Sequence, residues 1–152
     1  MDATIISPWS VDWVWGLPLI AATVVIHSFG LGLIYERVSV VLKGSGKSRT
    51  SYSLSALIVG GTVLLATILH GVEASIWTAA YLWLGALHDA KSATLYSLDA
   101  MTTYGHSDIK LEFRWQLMGP LEALDGWILF GLTTAFLIAI IQNLWRPSNR
   151  PT

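Results

Sequence analysis

Three apolar stretches, each long enough to cross a lipid bilayer, constrain this 152-residue chain more than any other feature. A spanning helix needs about 20 mostly apolar residues to cover roughly 30 Å of hydrocarbon. The first stretch, 13–42, holds no formal charge before Glu36 and only His27 as an ionisable group. The second, 53–87, is interrupted in polarity only by His70 and Glu73. As one helix it would measure about 50 Å, so it must tilt or project from the membrane. The third, 117–145, carries Glu122 and Asp125 near its start and meets Arg146 and Pro147 at its end, where proline makes a natural stop.

Charge is scarce enough to exclude most soluble readings. Only 12% of residues are charged, against roughly 25% in a soluble domain. The net charge of -1 leaves no basic surplus to neutralise a nucleic-acid backbone, so nucleic acid is not an expected partner. The absence of cysteine excludes disulfides, Fe–S ligation and thiol catalysis. A signal-peptide reading of the first stretch fails because Asp2 and Asp12 precede it where a basic region belongs, and because the apolar run is too long.

The remaining charges are placed asymmetrically. Arg37 closes the first stretch and Lys43, Lys47 and Arg49 follow it, and Arg146 and Arg150 follow the third. By the positive-inside rule these ends face the cytoplasm, with the N-terminus outside and the C-terminus inside. The expected location is a cell membrane, plasma or bacterial inner, with lipid as the surrounding partner. Residues 43–52 read as a cytoplasmic loop and 146–152 as a cytoplasmic tail. Gly44-Ser45-Gly46-Lys47-Ser48 echoes a phosphate-binding loop, but Val41 occupies the first glycine position and no strand precedes it.

Residues 88–101 have the spacing of a helix too short to cross, with Ala93, Leu95, Leu98, Ala100 and Met101 as its apolar positions. A half-helix that enters and leaves on one side is allowed where the irregular backbone after it lines water or is buried in protein. The run that follows, 102–109, is polar and turn-forming. The expected fold is therefore all-α, a single membrane domain over 1–152 with three transmembrane helices and one re-entrant helix.

The order of helix, short helix, Thr-Thr pair, glycine-containing turn, Asp and glycine-bearing helix resembles the pore module of tetrameric, pore-loop potassium channels, in particular small bacterial potassium-channel-like proteins. The resemblance covers roughly residues 55–144. Thr102 and Thr103 fall on the family's threonine pair, Tyr104 on its aliphatic position, Gly105 on the first glycine, His106 on the aromatic, Ser107 on the second glycine and Asp108 on the aspartate. It implies a pore helix over 88–101, a filter loop over 102–109, a homotetramer, and passive conduction of potassium, with sodium as the alternative permeant ion. Such a filter replaces an ion's hydration shell with rings of carbonyl and hydroxyl oxygens. Tyr104, His106 and Ser107 depart from the family pattern, so the filter is non-standard. Glycine relieves the left-handed backbone a filter needs; Ser107 at such a position would cost about 1–2 kcal/mol.

Ionisable groups inside a membrane are expensive and normally find partners in the bundle interior. His70 and Glu73, three residues apart, share one helical face. With His27 they form either an interhelical hydrogen-bond network, a gating element, or a metal-ligand set. Asp99 and Asp125 line a cation vestibule, or Asp125 pairs with His88 or Arg114. Gly131 is a candidate hinge and Thr134 a candidate lumen-facing residue on the third helix. No catalytic residue is assigned and no cofactor is expected beyond permeant ions. The alternative function is a non-conducting membrane protein, regulatory, structural or metal-binding through His27, His70 and Glu73.

Overall fold

The computed structural model describes residues 8–44, 52–105 and 108–145. Every regular element among them is helical: α1 (Pro8–Gly44), α2 (Tyr52–Trp83), α3 (Ala90–Thr102), a single 3-10 turn (Phe113–Trp115) and α4 (Met118–Trp145). The long helices α1, α2 and α4 are apolar enough to cross a membrane, which makes this a multi-pass membrane protein. Of the cytoplasmic loop expected over 43–52, Lys43 and Gly44 belong to α1 and Tyr52 begins α2, while 45–51, like the tail 146–152, lie outside the described residues.

The bundle is apolar outside and polar inside. Val25, Phe29, Leu57, Leu64, Ile68, Phe130 and Ile138 point outward. The inward positions hold Asp12, Thr23, His27, Thr62, Glu73, Ser97, Glu122, Asp125 and Thr133, all buried. Water could not drive this arrangement. In lipid the outer face needs only hydrocarbon, and polar side chains gain by meeting one another between helices. The buried positions of α2, Thr62, Ala66, Glu73, Trp77 and Tyr81, advance by steps of seven and four residues, which keeps them on one narrow stripe. Pro18 sits on the exposed side of α1 without ending it, as spanning helices tolerate.

The apolar core lies where α3 meets the long helices. Trp77, Tyr81, Ala93, Met101, Trp115, Met118, Leu121 and Leu129 pack there, with Leu19, Ile20 and Val24 of α1 against them. Helix α3 packs on both α2 and α4. Its last turn reaches α4 at Gly126, where an added Cβ would overlap the Met101 carbonyl oxygen.

The ends of α2 and α3 explain where the short segment begins and stops. The apolar pattern extends the second helix to Leu87, but α2 ends at Trp83. Gly85 adopts φ 67° there, and the Ala86 and Gly85 amides donate back to the Tyr81 and Leu82 carbonyls at 2.9 and 3.2 Å. This is a Schellman termination with glycine at the left-handed position. Helix α3 then starts on Asp89, whose side chain accepts from the Ser92 amide at 2.9 Å. Hydrogen bonding by Ser92, side chain and then backbone, holds the fully exposed Asp89 carboxyl below its ordinary value of 3.8. A carboxyl lowered in the folded state contributes above the unfolded pKa and loses its contribution as pH falls through the folded one. The protection of the amides in the first turn of α3, their exchange taken relative to the intrinsic rate at each pH, should therefore be constant at neutral pH and fall only below about pH 4. Asp89→Ala should show fast exchange throughout; exchange identical to wild type would refute the capping role.

Candidate functional site

A column of polar groups runs through the middle of the bundle, built from residues one turn apart on three helices. Helix α1 contributes Thr23 and His27, α2 contributes Tyr81, Trp77 and Glu73, and α4 contributes Glu122, Asp125 and Thr133. Spacings of three, four and eight residues keep each set on one helical face. From Glu122 to Thr133 the column spans about 16 Å of helix axis.

At one end, Glu122 accepts from the Tyr81 hydroxyl at 2.5 Å. Ser97 of α3 hydrogen-bonds to the other oxygen of Glu122 and lies 2.8 Å from the Ala74 carbonyl. Tyr96 stacks edge-on against Tyr81, with centroids 5.4 Å apart. This layer fastens the short helix to both neighbours. In the middle, Asp125 accepts from Thr23 at 2.7 Å and from the Trp77 indole at 2.9 Å. His88 and Arg114, the partners expected for it if it is a buried pair, both lie elsewhere. His88 faces Glu112 at 3.6 Å on the exposed rim, and Arg114 stacks over Trp115 at 4.7 Å.

At the other end, His27 Nδ1 lies 2.7 Å from one Glu73 oxygen and His70 Nδ1 lies 3.3 Å from the other. Both imidazoles turn Nε2 toward the Thr133 hydroxyl, at 3.0 and 3.1 Å. The three residues that the sequence groups are thus in contact, and Thr133 of α4 completes the set.

The second feature is the chain after α3. Thr102 ends the helix exposed, its hydroxyl bonded to the Leu98 carbonyl at 2.6 Å. The Thr103 and Tyr104 amides then donate to the Ala100 and Asp99 carbonyls at 3.1 and 2.9 Å. This repeats the termination used at Gly85, but a threonine occupies the left-handed position, with φ 55°. A β-branched residue is rare there and costs about 1–2 kcal/mol. Gly105 follows at φ 80°. Tyr104 is 77% exposed, and Asp108 is exposed. His106 and Ser107, which the sequence places in the filter loop, lie outside the described residues. Asp99 is half-buried on α3.

Two residues singled out on the third spanning helix lie off the polar column, both exposed on the single chain. Gly131 sits inside an uninterrupted α4, with nothing within 4 Å of the position its Cβ would take. Thr134 is exposed and bonds its hydroxyl to Phe130 of its own helix at 2.8 Å; Thr133 is the inward residue. Sequence reasoning misses Thr23, Trp77, Tyr81, Ser97 and Thr133. The available signal is spacing: Thr23 lies one turn from His27, and Trp77 and Tyr81 lie one and two turns from Glu73. No protein-family model, curated protein or solved structure matches the chain.

Proposed function

We propose that the chain is the pore-forming subunit of a cation channel, a homotetramer that passes potassium-like monovalent ions through a loop built from Thr102 to Asp108. The observation that carries this reading is the strained turn after α3. A helix too short to span, wedged between two spans, ends in left-handed backbone at Thr103 and again, two residues on, at Gly105. Such strain persists only where surrounding structure enforces it, and it concentrates at functional sites. Left-handed residues turn carbonyl groups away from the regular helix direction, which a ring of ion-binding oxygens requires. One chain supplies one such turn, so a pore calls for several copies around an axis. Thr102, Thr103, Tyr104 and Gly105 are exposed on the single chain, on the surface that those copies would share.

Three crossings put the termini on opposite sides. Arg37 and Lys43 at the end of α1 orient that end, and the C-terminal end of α4, to the cytoplasm. Asp99 and the acidic residues flanking the turn would raise local cation concentration at the mouth.

The test is ion flux from liposomes carrying the purified protein. Wild type is expected to dissipate a potassium gradient. Thr103→Gly keeps the left-handed turn but removes its steric cost and the threonine hydroxyl; it should stabilise the protein by about 1 kcal/mol yet, having lost that oxygen from the loop, cut the flux severalfold. Absence of both potassium and sodium flux from wild type, with the protein inserted, would overturn the proposal.

A further inference from the structure

The Glu73 end of the column holds one proton too few. Four groups close a ring of four contacts: His27 Nδ1 to Glu73 Oε1 at 2.7 Å, His27 Nε2 to Thr133 at 3.0 Å, Thr133 to His70 Nε2 at 3.1 Å, and His70 Nδ1 to Glu73 Oε2 at 3.3 Å. Two neutral imidazoles supply one N–H each and threonine one O–H, so three protons serve four contacts. The three shorter contacts use all of them: His27 Nδ1–H donates to Glu73, Thr133 donates to His27 Nε2, and His70 Nε2–H donates to Thr133. The fourth contact then sets the bare His70 Nδ1 against the carboxylate. Independently of this assignment, Glu73 Oε2 has no hydrogen-bond partner, although Glu73 is fully buried. Buried polar atoms are ordinarily satisfied, and one left over calls for a missing ion, proton or water.

We propose that His27, His70 and Glu73 bind a divalent transition-metal ion of the zinc class where these lone pairs converge. Each residue offers a donor atom within 4.8 Å of the other two. Two imidazoles and a carboxylate match zinc's preferences, and tetrahedral bonds of about 2.1 Å put ligand atoms about 3.4 Å apart. His70, with its side chain 25% exposed, is the ligand with room to rotate inward. His27 coordinates through Nδ1 once its proton sits on Nε2. Both Nε2–H groups then donate to Thr133 Oγ1, which has two lone pairs to accept them. That is the outer-shell support ligating histidines require. The threonine proton turns to a carbonyl of the preceding turn, as helical threonines commonly do.

Charge also favours a divalent ion. Asp125, fully buried and with Oδ1 unpartnered, lies within Coulombic range of both Glu73 and His27. With Glu73 and Asp125 both ionised, a divalent ion offsets the charge of that pair, whereas a single proton leaves one of its two negative charges uncompensated. This inference stands apart from ion conduction, because it is measured in detergent without any flux.

The experiment uses full-length protein freed of any affinity tag, washed with chelator and titrated with Zn2+ and Co2+. Wild type should bind one Zn2+ per chain. Co2+ should give the visible ligand-field absorption of a four-coordinate nitrogen–oxygen site, and Zn2+ should displace it. His70→Gln and Glu73→Gln should each weaken binding at least tenfold, whereas His88→Gln on the exposed rim should not. Cu2+ loaded into wild type should show magnetic hyperfine coupling to imidazole nitrogen, which requires no variant to fold. Absence of cobalt bands in wild type, or equal Zn2+ binding by wild type and His70→Gln, would overturn the site and leave a proton on the fourth contact.

Discussion

Gly126→Ala is expected to destabilise the protein by about 3 kcal/mol, whereas Gly60→Ala is expected to be neutral or mildly stabilising. The two glycines have the same chemistry and both lie inside long helices, where alanine is ordinarily favoured by roughly 1 kcal/mol. Nothing lies within 4 Å of the Cβ position at Gly60. At Gly126 the new methyl would collide with the carbonyl oxygen of Met101 and stand within 3.0 Å of its carbonyl carbon and Cα. These are backbone atoms at the end of α3, so no side chain can rotate away. Either α3 lifts off α4 or α4 shifts, and overpacking of a tight contact costs about 1–3 kcal/mol even where side chains can yield. Lifting α3 also moves the strained turn at Thr103, two residues beyond Met101. Thermal unfolding of both variants in one detergent, beside wild type, checks the sign at each site. A Gly126→Ala protein as stable as Gly60→Ala would show that the close approach of α3 to α4 is absent.

The spanning segments are legible in the sequence because lipid imposes a length and a polarity that few other environments do. The short helix is legible for the complementary reason: Ala93, Leu95, Leu98, Ala100 and Met101 give helical spacing to a stretch that cannot cross, although of these only Ala93 and Met101 are buried, beside Ser97, and Leu95 and Leu98 are exposed. What the sequence cannot supply is the pairing between helices. Asp125 in isolation calls for any donor, and His88 and Arg114 are the basic partners the sequence suggests. The packing delivers two uncharged donors instead, Thr23 from α1 and Trp77 from α2, 102 and 48 residues away. A threonine or tryptophan in an apolar stretch reads as lipid-facing or boundary material until its neighbour is known. His27, His70 and Glu73 can be grouped because each is rare in such a stretch. Thr133 cannot, because Thr134 beside it is chemically identical and only the rotation of α4 decides which one faces inward.

Replacing Glu122 by leucine is expected to cost about 2–3 kcal/mol, and much of that cost should vanish in a protein that already carries Tyr81→Phe. Glu122 and Tyr81 are fully buried and bonded at 2.5 Å. Leucine fills a similar volume, so packing changes little. What changes is that the Tyr81 hydroxyl loses its acceptor in a place without water, which costs about 1–3 kcal/mol. Tyr81→Phe alone creates the mirror defect, a buried Glu122 oxygen without its donor. The double variant removes both halves and should be more stable than the two single losses added together. The expected coupling is about 0.6–1.7 kcal/mol, the range for hydrogen bonds between membrane helices, where the unfolded reference also finds partners. Glu122→Gln keeps an acceptor for Tyr81 and should fall between wild type and Glu122→Leu. Reversible unfolding in mixed micelles measures all four corners of the cycle. Strict additivity would mean that Tyr81 and Glu122 do not share a hydrogen bond in the folded bundle. Because Ser97 also holds Glu122, the losses should fall unevenly on the chain. Amides of α3, tied to α2 and α4 through this carboxyl, should exchange faster in Glu122→Leu, while those of α1 around Thr23 and His27 should keep wild-type protection.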